Sequence, residues 1–370
     1  MTLPAQEPAT LPETMSAFLL TGHGGFDKLV WRTDVPLPRP GPGEVLVKVL
    51  ACGLNNTDVN TRTGWYSKGV TGATTGDALE GAGDDGSWGG GLKLPRIQGA
   101  DVAGRIVGLG PGADPALLGK RIMVDVWLRD WDDPMNLEKT GYYGSEIDGG
   151  FAEYSVVPVT NAHPIDCDLA DAEIATFATS YVTAENMLNR AAVGEGDTVL
   201  IPGASGGVGS ALIQLAHRRG ARTVAMCGAD KAEQVAALGP AAVLPRAPED
   251  LGAALEAAIG TSQVTVVADV VGGAMFGPLI EALARGGRYT CAGAIAGPMV
   301  ELDLRTFYLN NLAFFGATVV PPGVFADLVG YVARGEIKPL LAATYPLADL
   351  HAAQKAFIEK RHVGNIAVVP

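Results

Sequence analysis

Asp197-Thr198-Val199-Leu200-Ile201-Pro202-Gly203-Ala204-Ser205-Gly206-Gly207-Val208-Gly209 is the stretch that decides how this chain folds. A short β-branched run enters a glycine-rich turn, and an apolar pattern at Val208, Leu212, Leu215 and Ala216 leaves it at helical spacing. The expectation is a strand, a tight turn and a helix whose N-terminus faces the turn. Gly206 would let the backbone approach a pyrophosphate, and Gly209 would let the helix pack closely on the strand. The first N–H groups of that helix have no internal partners, and together with the helix dipole they favour an anion. A second strand is expected at 222–227, at about the 20-residue spacing a dinucleotide unit requires. A plain strand–turn–helix would use its glycines for the turn alone. With strand, helix and second strand all legible, the run points to a bound dinucleotide.

The chain has 370 residues, enough for two domains, and 48% of them are apolar, enough for a sizeable core. Charged residues make up 18%, which excludes a disordered or fibrous class. The net charge of −13, with no basic cluster, argues against nucleic acid and anionic membrane surfaces as partners. Cys52, Cys167, Cys227 and Cys291 are far apart and form no CxxC pair, as expected of a reducing cytoplasm. Residues 1–14 lack the basic start and apolar core of a signal peptide and read as a disordered leader. No apolar run is long enough to span a membrane.

Residues 15 to about 164 read as β-rich, with strands expected at 16–20, 29–32, 44–50, 102–109, 120–126 and 151–157. Short strands with irregular links imply a barrel or sandwich. Between Ser67 and Gly91 the chain is dominated by Gly, Asp, Ala and Thr, a long loop that is either a lid or a passive insertion. From about Leu169 the pattern changes to a helix over 171–192. Strands at 197–201, 222–227, 241–245, 264–268, 287–292 and 312–318 then alternate with helices. This is the pattern of an α/β fold with a doubly wound parallel sheet. Helices at 324–334 and 346–360 and a last strand at 365–369 return to the first domain.

Three further stretches join the glycine-rich turn in order: Gly-Gly-Phe-Ala-Glu-Tyr (149–154), Asp-Val-Val-Gly-Gly (269–273) and His-Val-Gly-Asn-Ile-Ala-Val-Val (362–369). Along nearly the whole chain from residue 15, this resembles the medium-chain dehydrogenase/reductase superfamily, and within it the zinc-free quinone oxidoreductase and enoyl reductase branch. The resemblance implies a GroES-like β-barrel catalytic domain (15–165 and 322–370), a Rossmann nucleotide-binding domain (166–321) and a nicotinamide cofactor between them. Zinc alcohol dehydrogenases of this superfamily carry Cys-His where this chain has Asn55-Asn56, and Gly-His-Glu where it reads Gly99-Ala100-Asp101. Zinc prefers Cys and His over amides, so no catalytic zinc is expected. Cys52 reads as a small buried hydrophobe and His163 as a lone structural or exposed histidine.

NAD enzymes place an acidic residue at the end of the second Rossmann strand. Here that strand ends Met226-Cys227-Gly228-Ala229-Asp230-Lys231, with no carboxylate at its terminus. Gly228 leaves space for a 2′-phosphate and Lys231 can neutralise it, which favours NADPH; Asp230 next to it could instead serve NADH. The resemblance adds Thr183, Val271, Gly272, Gly293, Phe315 and Asn365 as cofactor contacts beside the turn 203–209. The family usually has Lys where this chain has Asn365.

Hydride addition to an enone builds negative charge on the carbonyl oxygen, so the acceptor site needs hydrogen-bond donors and a proton source. By resemblance, Tyr66 falls on the catalytic tyrosine of enoyl reductases and Asn55 on a retained asparagine of the quinone reductases. Tyr66 could equally be a loop aromatic covering the cleft. Asp58 reads as structural, bonded to nearby backbone or to an arginine such as Arg62. Trp127, Trp131, Tyr142 and Tyr143 could wall the substrate or pack an insertion onto the barrel. The expected function is hydride transfer to a quinone or α,β-unsaturated carbonyl. The alternatives are an alcohol dehydrogenase of the same superfamily and a non-catalytic NADPH-binding sensor. The resemblance also implies a homodimer through Rossmann edge strands, and 312–320 is apolar enough to need covering.

Overall fold

The computed structural model describes residues 11–77 and 79–370. Of the expected leader, residues 1–10 lie outside the described residues, and Thr14 already opens a strand, Thr14–Leu20.

Six strands, Thr198–Pro202, Arg222–Cys227, Ala242–Pro245, Val264–Asp269, Leu283–Cys291 and Ala313–Gly316, form one parallel sheet. Their spatial order is third, second, first, fourth, fifth, sixth, the doubly wound arrangement. Successive side chains of the first strand point to opposite faces, and both faces are buried. Val199 and Ile201 join one apolar cluster and Leu200 another. This is why the strand reads as a continuous apolar run instead of an alternating one.

A second sheet joins Leu341–Pro346, Asn365–Val369, Glu44–Gly53, Asp101–Leu109, Arg121–Val124 and Ala162–Pro164 in that order, with Tyr154–Pro158 also pairing on Glu44–Gly53. It encloses its own core, including Val47, Ile106, Phe151 and Val368. The C-terminal strand pairs antiparallel with Glu44–Gly53, so the end of the chain closes the N-terminal sheet.

Several elements differ from the expectation. The helix expected over 171–192 is two, Asp171–Ile174 and Ala178–Arg190. The break is tertiary: Asn365 Nδ2 donates to the Thr176 carbonyl, and a Cβ on Gly53 would overlap the Ala175 carbonyl. Leu341–Pro346 is a strand that the sequence hides, because its Ala-Ala centre has little β propensity. Residues 127–145 contain a short hairpin, Trp127–Leu128 with Gly141–Tyr142. Among the described residues, 67–91 holds no helix or strand beyond an isolated bridge between Ser87 and Gly90.

Candidate active site

The glycine-rich turn is shaped at backbone level. Gly203 has a φ of +68°, a left-handed conformation that disfavours a side chain, and a Cβ there would stand 2.8 Å from Val271 Cγ2. A Cβ on Gly209 would overlap the Gly203 carbonyl oxygen and stand 2.7 Å from Ala204 Cα, so the helix Gly207–Arg218 can lie against the strand only with glycine there. At Gly206 a Cβ would meet only the Gly203 carbonyl oxygen, at an ordinary 3.5 Å contact, so no side chain crowds that position. No side chain caps this helix start, so its first N–H groups remain available to an anion. Ala204 is buried, and the Ser205 carbonyl accepts the Gly364 N–H at 2.9 Å. The turn therefore touches the segment that returns to the other sheet.

The same seam holds Asn365. Its Oδ1 accepts the Ser180 hydroxyl at 3.1 Å, and its Nδ2 goes to Thr176. A Cβ on Gly207 would overlap that Oδ1. Asn365 thus lies at the helix start with its own side chain already bonded. Across the sheet's carboxyl edge, Val271, Gly272 and Gly293 come together: Asp269 accepts the Val271 and Gly272 N–H groups, and a Cβ on Gly293 would stand 3.1 Å from the Val270 carbonyl. Phe315 is half-buried on the edge strand, opposite Thr290. Thr183 is half-buried on the helix Ala178–Arg190, one turn beyond Thr179.

Lys231 is only 5% exposed, and its ammonium donates to the Lys360 carbonyl. Asp230 beside it is exposed. A Cβ on Gly228 would stand 2.5 Å from Asp230 Oδ1 and 3.3 Å from the Arg246 guanidinium, so a carboxylate and a second cation both flank the strand end. Lys360 is a third. Its Nζ donates to Asn56 Oδ1 at 2.9 Å and lies 3.4 Å from the Phe357 ring centroid. Burial, then the charge of Lys231, pulls the Lys360 ammonium down to about 7. Burial and the same two lysines lower His362 to about 4, so it is neutral at pH 7. Sequence reasoning missed Lys360 and Arg246, since neither lies in the strand–turn–helix unit; only the fold brings them to its end.

On the acceptor side, Asn55 caps the helix Asn56–Thr63 from its N-terminus. Its N–H donates to Asp58 Oδ2 at 2.7 Å. Its side-chain Nδ2 is buried and approaches the Asp101 carboxyl without completing a well-formed hydrogen bond. Asp58 bonds backbone here, and not Arg62, which instead donates to the carbonyls of Gly24 and Gly76 and to Gln354. Burial raises the Asp58 carboxyl to about 8. Burial also raises Asp101, to about 6, against hydrogen bonding from Thr179 and from the Asn55 side chain. Thr179 donates both its N–H and its hydroxyl to Asp101, and its oxygen lies 2.7 Å from the Tyr142 hydroxyl. Tyr66 follows the helix on a loop, half-buried, with Trp65 edge-on to it at 5.6 Å. Burial raises its phenol above the ordinary value, against polar contacts with Thr57 and Asn60, while the nearby Asp58 charge adds to the rise. Asn55 and Tyr66 therefore border the same buried carboxyls. Thr179 and Asp101, at the centre of this network, were not singled out from the sequence as site residues.

The aromatic insertion divides. Tyr143 is buried and donates to Ser155 at 2.6 Å, while Trp131 is largely exposed. Trp127 and Tyr142 pack edge-on at 5.2 Å. His163 lies against Phe325, and Cys52 is fully buried with its thiol pushed up by burial. Among the described residues, no group of three or more His, Cys, Asp and Glu side chains is placed to hold a metal ion.

A doubly wound parallel sheet with a glycine turn and an uncapped helix start at its first strand, apposed to a β-rich unit that brings amide and phenol groups, is the framework of a nucleotide-dependent oxidoreductase. Residues 41–167 match the alcohol dehydrogenase GroES-like domain, and residues 207–334 match the zinc-binding dehydrogenase domain. A structure from Sinorhizobium meliloti 1021, provisionally named an alcohol dehydrogenase, is 46% identical with a TM-score of 0.88, covering 98% of each chain. Acryloyl-coenzyme A reductase of Metallosphaera sedula is 25% identical, with 95% of this chain and 99% of that protein covered. Quinone oxidoreductase of Lama guanicoe is also 25% identical, over 94% of each. The chain belongs to the medium-chain dehydrogenase/reductase superfamily, with a GroES-like and a Rossmann unit, and it is an oxidoreductase.

The second domain's name implies zinc. Where zinc relatives carry thiolate and imidazole ligands, this chain presents the Asn55 amide and the methyl of Ala100, and the neighbouring Asp101 is engaged by Thr179. That donor set does not fit zinc.

Proposed function

We propose that this protein is a zinc-independent reductase that passes hydride from NADPH to a quinone or an α,β-unsaturated carbonyl. The observation that carries the reading is the buried Asn55 amide, 6% exposed, whose donor makes no full hydrogen bond and meets only the Asp101 carboxyl that Thr179 already engages. A buried donor left without a well-formed partner costs up to about 1–3 kcal/mol, part of which a carbonyl oxygen would recover. The nicotinamide supplies the hydride when bound. As charge builds on the acceptor oxygen, Asn55 Nδ2 donates to it. Tyr66, kept neutral by burial, holds the proton that the reduced acceptor takes up. Asp58 and Asp101 hold the helix cap and Thr179 that frame these groups.

In this reading the turn Gly203–Gly209 holds the diphosphate, and Lys231, Lys360 and Arg246 surround the 2′-phosphate once the exposed Asp230 side chain swings away from Gly228. Thr183, Val271, Gly272, Gly293, Phe315 and Asn365 line the remainder of the cofactor groove. The catalytic unit is 15–165 with 322–370, and the nucleotide unit is 166–321. Among the described residues no helix is long and apolar enough to cross a membrane, and all four cysteines are free, which suits a reducing cytoplasm.

The name of the Sinorhizobium relative supports a second reading, alcohol oxidation. Oxidation of NADPH and NADH, followed by absorbance against enones, quinones, aldehydes and alcohols, separates the two. Enone or quinone reduction with a kcat/KM preference for NADPH is expected. Turnover confined to alcohol–aldehyde pairs would overturn the acceptor assignment, and a clear NADH preference the cofactor assignment. Cofactor binding without turnover of any acceptor would make the protein a sensor.

A further inference from the structure

Two segments cross from the β-rich unit to the nucleotide sheet and bracket the cleft. One is Gly364 on Ser205, at the phosphate turn. The other is Thr74, in the loop expected from sequence to be either a lid or a passive insertion. Its N–H donates to the Ile295 carbonyl at 3.0 Å. Ile295 lies just past Gly293, where Ala296 bonds the Val271 carbonyl at 2.8 Å, so Thr74 reaches the sheet's carboxyl edge. The Thr74 hydroxyl also donates to Asn60 Oδ1 at 3.1 Å, on the helix that Asn55 caps. Thr74 therefore ties the acceptor-side helix directly to the dinucleotide edge.

The loop is held at several further points. Trp65 Nε1 donates to the Gly72 carbonyl at 3.0 Å, and the fully buried Arg62 donates to the Gly76 carbonyl at 3.1 Å. On the return limb Ser67 donates to Asp85 at 2.7 Å. Trp88 then packs edge-on against Trp127 at 5.1 Å, with Tyr142 at 6.3 Å. The loop and the aromatic insertion, two features the sequence left without a role, pack on each other. Tyr142 joins them to Thr179 and Asp101, the carboxyl that the Asn55 amide approaches.

The outer surface of the loop is acidic. Asp77, Glu80, Asp84 and Asp85 are exposed, and between residues 63 and 92 the only basic side chain is Lys68, which leaves four negative charges against one positive. The Ser67 hydrogen bond holds the Asp85 carboxyl below its ordinary range, so it stays ionised. Asp77 follows Thr74 by three residues, so a coenzyme A thioester that enters where Thr74 crosses would bring its diphosphate and its further phosphate toward this acidic loop, and it would need an open path there for its long arm. Like charges at a cleft mouth slow such a ligand, while a neutral one is unaffected.

We propose that the loop carrying Trp65, Thr74 and Trp88 determines acceptor choice, admitting small uncharged enones and quinones and excluding phosphate-bearing thioesters. This rests on the reductase reading of the same cleft. The test uses the full chain with NADPH and compares but-3-en-2-one with acryloyl-coenzyme A, which offer similar reacting groups. A preference for the free enone of about 100-fold in kcat/KM is expected. It should shrink by about tenfold in the combined variant Asp77→Asn, Glu80→Gln, Asp84→Asn, as charge steering predicts, and should shrink in high salt. Thr74→Val keeps the backbone bond and the side-chain volume but loses the bond to Asn60. It should raise the use of the bulky 9,10-phenanthrenequinone relative to but-3-en-2-one. It should also speed NADPH release in stopped-flow fluorescence, a readout independent of turnover. Equal use of both acceptors by the wild type, or unchanged ratios and release in the variants, would overturn the proposal. A titration in which NADPH and NADH both fail to bind refutes the reductase reading itself, and this inference falls with it.

Discussion

Tyr66 and Lys360 are the two side chains whose chemistry can be isolated most cleanly. The Tyr66 phenol is raised by burial and so carries its proton through neutral pH. Removing a group that donates a proton in the transition state costs about 100-fold or more in rate. Tyr66→Phe should therefore lower kcat by about that factor while the thermal midpoint stays within a degree or so; an unchanged kcat would remove the hydroxyl from the mechanism. Lys360 makes a pH prediction. In the free protein its ammonium loses its proton near 7. A phosphate beside it favours the charged form, so binding raises that value and takes up a proton above pH 7. NADPH affinity should then weaken as pH rises from 7, by up to about tenfold per unit. Calorimetry in two buffers of different ionisation enthalpy would detect the uptake at pH 8, and Lys360→Met should abolish it. At this scale the sequence was readable where chemistry is local. Gly203 through Gly209 can be judged from the strand and helix on either side. Lys360, Thr179 and Asp101 cannot, because their roles come from neighbours far away in the chain.

At the scale of single elements, the glycine-rich turn is first of all a packing device. The helix Gly207–Arg218 approaches its strand so closely that a Cβ at position 209 would overlap the Gly203 carbonyl. Backbone cannot move aside as a flexible side chain can. Gly209→Ala should therefore push the helix N-terminus outward, costing about 1–3 kcal/mol of stability. Because the same N–H groups would face the diphosphate, dinucleotide affinity should fall as well. Denaturant unfolding and a cofactor titration on one preparation would show both losses; loss of stability with undiminished binding would separate the turn from the ligand. Five of the six strands of this sheet are short apolar runs between glycine or polar breaks and were legible within a few residues; the first half of Leu283–Cys291, with Arg285-Gly286-Gly287-Arg288, was not. The broken helix at Ala175–Phe177 was not. Nothing in Ile174-Ala175-Thr176-Phe177 disfavours a helix, and the interruption comes from Asn365 claiming the Thr176 carbonyl. The strand Leu341–Pro346 was hidden for the same reason: its pairing with Asn365–Val369, and not its own composition, makes it a strand.

Over the whole molecule, the sixth strand leaves the nucleotide sheet with an open edge. Ala313–Gly316 pairs only with Leu283–Cys291 among the described residues. The helix leading into it, Leu304–Leu309, exposes Leu304 at 64% and Tyr308 at 60%, and Met299 just before it is 70% exposed. An apolar surface beside an unpaired strand is a liability unless something covers it. A second copy of the chain satisfies both needs at once, since edges related by a two-fold axis pair with each other and the two apolar patches meet. We therefore expect a homodimer through this edge, with twice the chain mass in light scattering at micromolar concentration. The symmetry sharpens the test. A charge placed at Tyr308 enters the interface twice and meets its own copy, so desolvation and like-charge repulsion act together. Tyr308→Glu should give a monomer whose circular dichroism matches the wild type, because in the single chain that side chain is already in water. A wild type that is monomeric, or a Tyr308→Glu variant that remains dimeric, would place the contact elsewhere.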